Sequence, residues 1–242
     1  MKKKYIIFCL IFIIQFVYCQ NSFKITYRTY PKEGSIEKSE KVEKSKLKYL
    51  YQDLDEAILT LRFDLEINNK NITFKTQDII FHNQRALRLA KSYTNSSDEY
   101  YFNILSNRNI IKKYFLNEVF YIENNEKINW TITSESKKID SLLCFKATTI
   151  REFKINNETK FTNIEAWFCP SINIPYGPKG YHGLPGLIVE IVDDKTSMII
   201  EKITQNPNLK DLPEIDNVIS KDEFDKIVKE KKDDFIEKIS NN

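Results

Sequence analysis

The sequence predicts an α+β protein, a predominantly antiparallel β-sheet laid out as a curved meander with a C-terminal amphipathic helix packed on it. Three observations lead there. Short runs of alternating apolar and polar residues recur along the chain, separated by turn residues. Aromatic residues are plentiful, 16 Phe and 13 Tyr, against only 5 Gly, a composition suited to packed sheets. A helical spacing of apolar residues becomes clear only after Pro213. Strands at such close spacing argue for hairpins in preference to strand-helix-strand units.

The N-terminus is read as an address. Met1-Lys2-Lys3-Lys4 is followed by Tyr5 to Val17, apolar except for Gln15, the order of a secretory signal peptide. The run falls short of the roughly 20 residues that a membrane-spanning helix needs. Cleavage after Cys19 places Val17 and Cys19 at the two small-residue positions and makes Gln20 the mature N-terminus. Lipidation of Cys19 is the alternative, and the bulky Phe16 and Tyr18 argue against it. Residues 1–19 are therefore expected to be a signal peptide and 20–242 a single domain, since no Pro/Gly/Ser linker divides the chain. The 37 Lys and Arg lose three with the signal, leaving 34 against 34 acidic residues. A neutral mature chain removes the electrostatic case for nucleic acid or an anionic membrane surface as partner, and no transmembrane segment is expected in it.

Phe23 to Tyr30 alternates and ends at Pro31 and Gly34, a first strand and turn. Residues 35–57, dense in Lys and Glu, fit a surface helix or a mobile excursion equally well. Ile58 to Ile67 and Ile72 to Gln77, separated by Asn68, Asn69, Lys70 and Asn71, read as a hairpin. Gln84 to Tyr93 has weak helical spacing. Tyr100 to Leu105, Lys113 to Glu123 and Lys127 to Thr133 are further strands, with Asn-rich turns at 107–109 and 124–125. At the C-terminus Ser220 and Glu223 have capping-box spacing, and Phe224, Ile227, Val228, Phe235 and Ile239 share one side of a helix expected to lie across the sheet.

Leu143 to Pro170 is the most informative hairpin. With Asn156-Asn157 as a two-residue turn, opposed positions sum to 313, so Cys144 faces Cys169, Phe145 faces Phe168, Ala147 faces Ala166 and Thr149 faces Ile164. The cysteines fall on a non-hydrogen-bonded pair, where Cα atoms approach to roughly 4.5 Å, the short end of what a disulfide accepts. In an exported chain a Cys144–Cys169 disulfide is expected over a reactive thiol; the competing arrangement is a Cys169 nucleophile with His182 as base.

Pro170 to Gly186 holds four of the five glycines and four of the seven prolines. Glycine supplies positive φ or close backbone approach, and proline fixes the dihedrals between. Tyr176, Gly177, Tyr181, His182, Gly183, Leu184, Pro185 and Gly186 form the candidate binding loop, with packing onto the sheet edge as the plainer alternative. Ala166-Trp167-Phe168, Ile174-Pro175, Gly177-Pro178, the run Gly183-Leu184-Pro185-Gly186-Leu187-Ile188 and Glu190-Ile191 resemble the GLPGLI family of exported Bacteroidota proteins, as do Trp130-Thr131-Ile132-Thr133 and Lys146-Ala147-Thr148-Thr149 upstream. The resemblance implies export and carries no activity or catalytic residue. Leu187 to Val192 reads as a buried strand in which Glu190 is the one charge.

Phosphate-binding glycine loops, paired-His zinc helices, Gly-x-Ser-x-Gly elbows and spaced Cys pairs are missing from the sequence. Neither His82 nor His182 has a second ligand at metal spacing, so no metal or other cofactor is expected. The expected function is a non-catalytic binding or envelope-accessory module, periplasmic, outer-membrane-associated or secreted, with an envelope protein, a peptide or a lipid-like ligand as partner. The alternative, a secreted hydrolase near the Gly/Pro-rich loop, requires at least two of His182, Glu165, Glu190 and Cys169 within hydrogen-bond reach, Glu165 and Glu190 forming the acid/base pair.

Overall fold

The computed structural model describes residues 22–32, 48–155, 158–209, 212 and 215–240. The predicted signal peptide (1–19), the first part of the Lys/Glu-rich stretch (35–47) and the Asn156-Asn157 turn lie outside the described residues. In chain order the elements are β1 (Phe23–Pro31), α1 (Lys48–Thr60), β2 (Arg62–Asn68), β3 (Asn71–Thr76), α2 (Gln84–Tyr93), β4 (Glu99–Asn103), β5 (Arg108–Phe115), β6 (Glu118–Glu123), β7 (Thr131–Ile139), β8 (Leu142–Ile155), β9 (Glu158–Cys169), β10 (Leu187–Val192), β11 (Thr196–Gln205), β12 (Val218–Ser220) and α3 (Lys221–Ser240).

All twelve strands among the described residues join one sheet in the order β12-β6-β5-β4-β3-β2-β1-β11-β10-β9-β8-β7. It consists of two successive meanders, β2 to β6 and β7 to β11, with β1 inserted between β2 and β11. Every pairing is antiparallel except the short β12 alongside β6, so the chain is mostly antiparallel sheet with a C-terminal helix, as the sequence predicts. The β8–β9 register runs from Ile155 opposite Glu158 to Phe145 opposite Phe168, as the hairpin reading requires.

Four local readings are corrected. Ile58 to Thr60 belong to the last turn of α1, and the strand begins at Arg62. The alternation there continues a helix whose buried Leu54, Ala57, Ile58 and following Leu61 keep helical spacing. Gln84–Tyr93 is a full helix, capped by the Asn83 side chain, which accepts from the backbone N–H of Arg85 and Ala86 at 3.1 Å each. The single strand expected over Lys113 to Glu123 is two, turned at Leu116 and Asn117 with φ of 48° and 65°, a mirror-type hairpin turn built without glycine. Finally, α3 packs at the sheet's edge and not across it. Phe224 meets Phe120 at 5.2 Å and Phe115 at 6.3 Å, and Lys231 pairs with Glu118. Its start matches the predicted box, the Glu223 N–H donating to Ser220 Oγ at 3.2 Å.

Alternation gives the sheet two unlike faces. One carries Ile25, Tyr27, Phe63, Leu65, Phe74, Tyr100 and Met198 into a hydrophobic cluster that also takes in Leu54, Ala57 and Ile58 of α1, Ala86, Leu87 and Ala90 of α2, and the residues after β9. The other bears cross-strand ion pairs, Lys24–Asp64 at 2.7 Å, Lys75–Glu66 at 3.2 Å and Lys112–Glu99 at 2.7 Å. No helix among the described residues is long and apolar enough to cross a membrane.

Candidate functional site

The Gly/Pro segment leaves β9 at Cys169, passes a 3-10 turn at Pro178–Gly180 and re-enters the sheet as β10. It is embedded. Ile174, Tyr176, Tyr181 and Leu184 are buried, and the Tyr176 and His182 rings stack with Phe102 of β4 at 5.1 and 5.8 Å. A single antiparallel bridge joins Tyr176 to His182. The Trp130 indole N–H donates to the His182 carbonyl at 2.8 Å, and the Tyr27 hydroxyl donates to the Ile188 carbonyl at 2.8 Å. Three glycines are required by contact: a Cβ at Gly177 would lie 2.5 Å from Ile188 Cβ, one at Gly180 2.7 Å from Tyr100 Cδ1, and one at Gly186 2.3 Å from the Cys169 carbonyl oxygen. Of the predicted binding loop, Tyr176, Gly177, Tyr181, Leu184 and Gly186 are therefore packing residues, His182 is half-buried, and Gly183 and Pro185 reach the surface.

One side of this segment borders a cleft of about 250 Å³, lined by Tyr100, Ile128, Asn129, Arg151, Lys179 and Tyr181 among others. Tyr181 is the one predicted loop residue that both packs inward and faces the cleft. Burial raises its hydroxyl above the ordinary tyrosine value, against the pull of the Arg151 guanidinium with which it hydrogen-bonds. Lys179, which also lines the cleft, takes a left-handed φ of 53°; its side chain is 7% exposed and pairs with Asp193 at 3.1 Å. Burial works against the Asp193 charge, but Lys179 and the backbone N–H groups of Thr196 (2.7 Å) and Lys195 (2.8 Å) outweigh it and hold the carboxyl below its usual range. Sequence reasoning missed Arg151, Tyr100 and Lys179; they meet only because β4, which carries Tyr100, packs against the 3-10 turn and β8 carries Arg151 to Tyr181.

Glu165 and Glu190 lie on the opposite, polar face. The Trp167 ring separates them: its indole N–H donates to Glu165 at 2.8 Å, and Lys137, paired with Glu190, sits 4.1 Å from the ring centroid. Lys146 pairs with Glu165 at 3.0 Å and Glu135 at 3.2 Å. Burial resists ionisation of Glu165, yet the bonds from Lys146 and Trp167 hold its carboxyl below the usual range, the wrong direction for a general acid. His182 directs Nδ1 to the Gly180 carbonyl at 2.9 Å, and Cys169 Sγ lies 3.0 Å from Ser171 Oγ. No hydrogen bond or ion pair among the described residues joins any two of His182, Glu165, Glu190 and Cys169.

Cys144 and Cys169 are both buried free thiols, adjacent enough to interact. Burial first, and then its neighbour Cys169, pushes the Cys144 thiol up to about 11, which keeps it a poor nucleophile. The fold places Asp53 and Glu56 of α1 beside His82, a proximity that the sequence spacing does not show.

The fold and cleft define a broad antiparallel sheet with one face packed and a small polar recess at the Gly/Pro segment. The family described as "Protein of unknown function (Porph_ging)" matches residues 130–190, from Trp130 to Glu190. That span contains β7 to β9, the Gly/Pro segment and most of β10. Among solved structures, PNGF-II in a P21 crystal form is similar with a TM-score of 0.50 and 16% identity over 83% of this chain, and PNGF-II in a C2 form with a TM-score of 0.49 and 16% identity over 83%. The chain spans 31% of the length of those proteins, and the likeness is one of fold. No curated protein matches.

Proposed function

We propose that this chain is a non-catalytic binding module of the cell envelope, exported and trimmed to begin at Gln20, which grips a polypeptide partner at the cleft beside the Gly/Pro segment. The observation that carries the reading is the convergence of the Arg151 guanidinium, the Tyr181 hydroxyl and the Tyr100 ring on a recess whose wall is locked into the core. At about 250 Å³ the recess is smaller than the roughly 300–1,000 Å³ of sites that enclose a small molecule, and suits one or two projecting side chains of a larger partner. The filled cluster beneath the sheet favours a peptide or envelope protein over a lipid-like ligand. Native mass spectrometry of the protein purified from its own envelope is expected to show a bound polypeptide that Arg151→Ala releases, with affinity reduced at least about tenfold. Recovery of the chain alone, of a lipid adduct, or of an Arg151→Ala variant that binds equally well overturns the reading.

Assignment to the GLPGLI family belongs to the same proposal, and its six-residue motif at 183–188 falls inside the matched span. So does a Cys144–Cys169 disulfide. Both thiols give up their protons and together two electrons to the oxidants of the exporting compartment. Closing the loop would add on the order of 3 kcal/mol. Thiol titration of the denatured, unreduced protein is expected to find neither cysteine free, and two free thiols would refute the bridge.

A further inference from the structure

We infer that Asp53, Glu56 and His82 form a binding site for one first-row divalent cation of the zinc class. Asp53 and Glu56 are three residues apart in α1, a spacing that places both carboxylates on one face of the helix. His82 comes from the connection between β3 and α2, and one ligand atom from each of the three lies within 4.8 Å of the others. The His82 Nε2 to Asp53 Oδ1 separation is 3.6 Å. That is long for a hydrogen bond and close to the edge of a tetrahedron, about 3.4 Å when ligands stand about 2.1 Å from the metal.

Asp53 and the backbone around His82 are held by contacts that do not depend on an ion, while the Glu56 carboxylate stands exposed beside them. Phe81 is buried and its ring packs 4.3 Å from the His82 ring, which fixes the backbone on one side of the histidine. On the other side Asn83 works in two directions: its Oδ1 accepts from the first N–H groups of α2, and its Nδ2 donates to Asp53 Oδ2 at 2.6 Å. This leaves Asp53 Oδ1 turned toward His82. A ligating carboxylate oriented by a hydrogen bond to its second oxygen is the support that metal sites commonly use.

One imidazole and two carboxylates select zinc, cobalt, nickel or manganese over calcium and magnesium, which take oxygen-only sets. Three protein ligands leave a fourth position for water. The bound cation would clamp α1 to the start of α2, whose apolar faces share one cluster, and metal binding should therefore raise the unfolding temperature.

The test uses the untagged, chelator-treated full chain titrated calorimetrically with zinc chloride, with cobalt chloride as a spectroscopic probe. One cation per chain is expected, with visible cobalt d–d absorption and a rise in melting temperature on adding zinc. His82→Gln and Asp53→Asn should each weaken binding at least about tenfold, with melting temperatures in chelator close to the parent's as the check that they fold. His182→Gln, altering the other histidine, should leave affinity unchanged. The absence of saturable binding, equal affinity in His82→Gln, or loss of binding in His182→Gln overturns the site.

Discussion

Two regions complete the same hydrophobic cluster by opposite means. The pair α1–α2 brings side chains to it, Leu54, Ala57 and Ile58 from one helix and Ala86, Leu87 and Ala90 from the other. The segment from Pro170 to Gly186 brings main chain as well, and Gly177 and Gly186 sit where a single added carbon would meet Ile188 or the Cys169 carbonyl. The helices need their apolar atoms; the segment needs the lack of them. Glycine density in this chain therefore marks close packing, where a reader of sequences would first look for a mobile binding loop.

Single substitutions separate the two regions. Gly186→Ala should have the largest effect, about 4 kcal/mol of lost stability or failure to fold, because a φ of 149° and a 2.3 Å approach to backbone coincide there. Urea denaturation gives the number, and a near-parental midpoint would mean that the main chain has room. Ile58→Ala, fully buried in α1, should cost about 3 kcal/mol by leaving a cavity; a loss under about 1 kcal/mol would show that the helix pair only loosely covers the sheet. Gly183→Ala isolates strain from contact, since its φ is 91° but nothing lies within 4 Å of the added carbon. About 1 kcal/mol is expected, again from the denaturation midpoint, and a cost equal to that of Gly186→Ala would erase the distinction between the two glycines.

How far the sequence could be read follows from the range of each signal. The β8–β9 register was legible because the cysteines and the paired Phe and Ala residues all point to one alignment around a two-residue turn. The start of α3 was legible because its cap lies within four residues. The turn at Leu116-Asn117 was hidden, since a leucine with positive φ gives no turn signal. Helix α2 read only weakly because two of its three buried residues are alanines and Leu89 lies exposed outside the stripe. The cleft and the cation site were the least legible. Arg151 meets Tyr181 across two strands and a loop, and the Asp53–Glu56 spacing says nothing until the fold carries His82 to it.

The position of β1 sets the order in which this molecule can be finished. Its partners are β2, some 40 residues on, and β11, whose register pairs Phe23 with Gln205. Among the described strands β1, the first in chain order, is thus central, and one of its two edges stays bare until β11 has emerged. Contacts of such sequence separation make folding slow, and an unpaired strand edge in the meantime invites the wrong partner. A holding factor acting during synthesis would have β1 as its natural client.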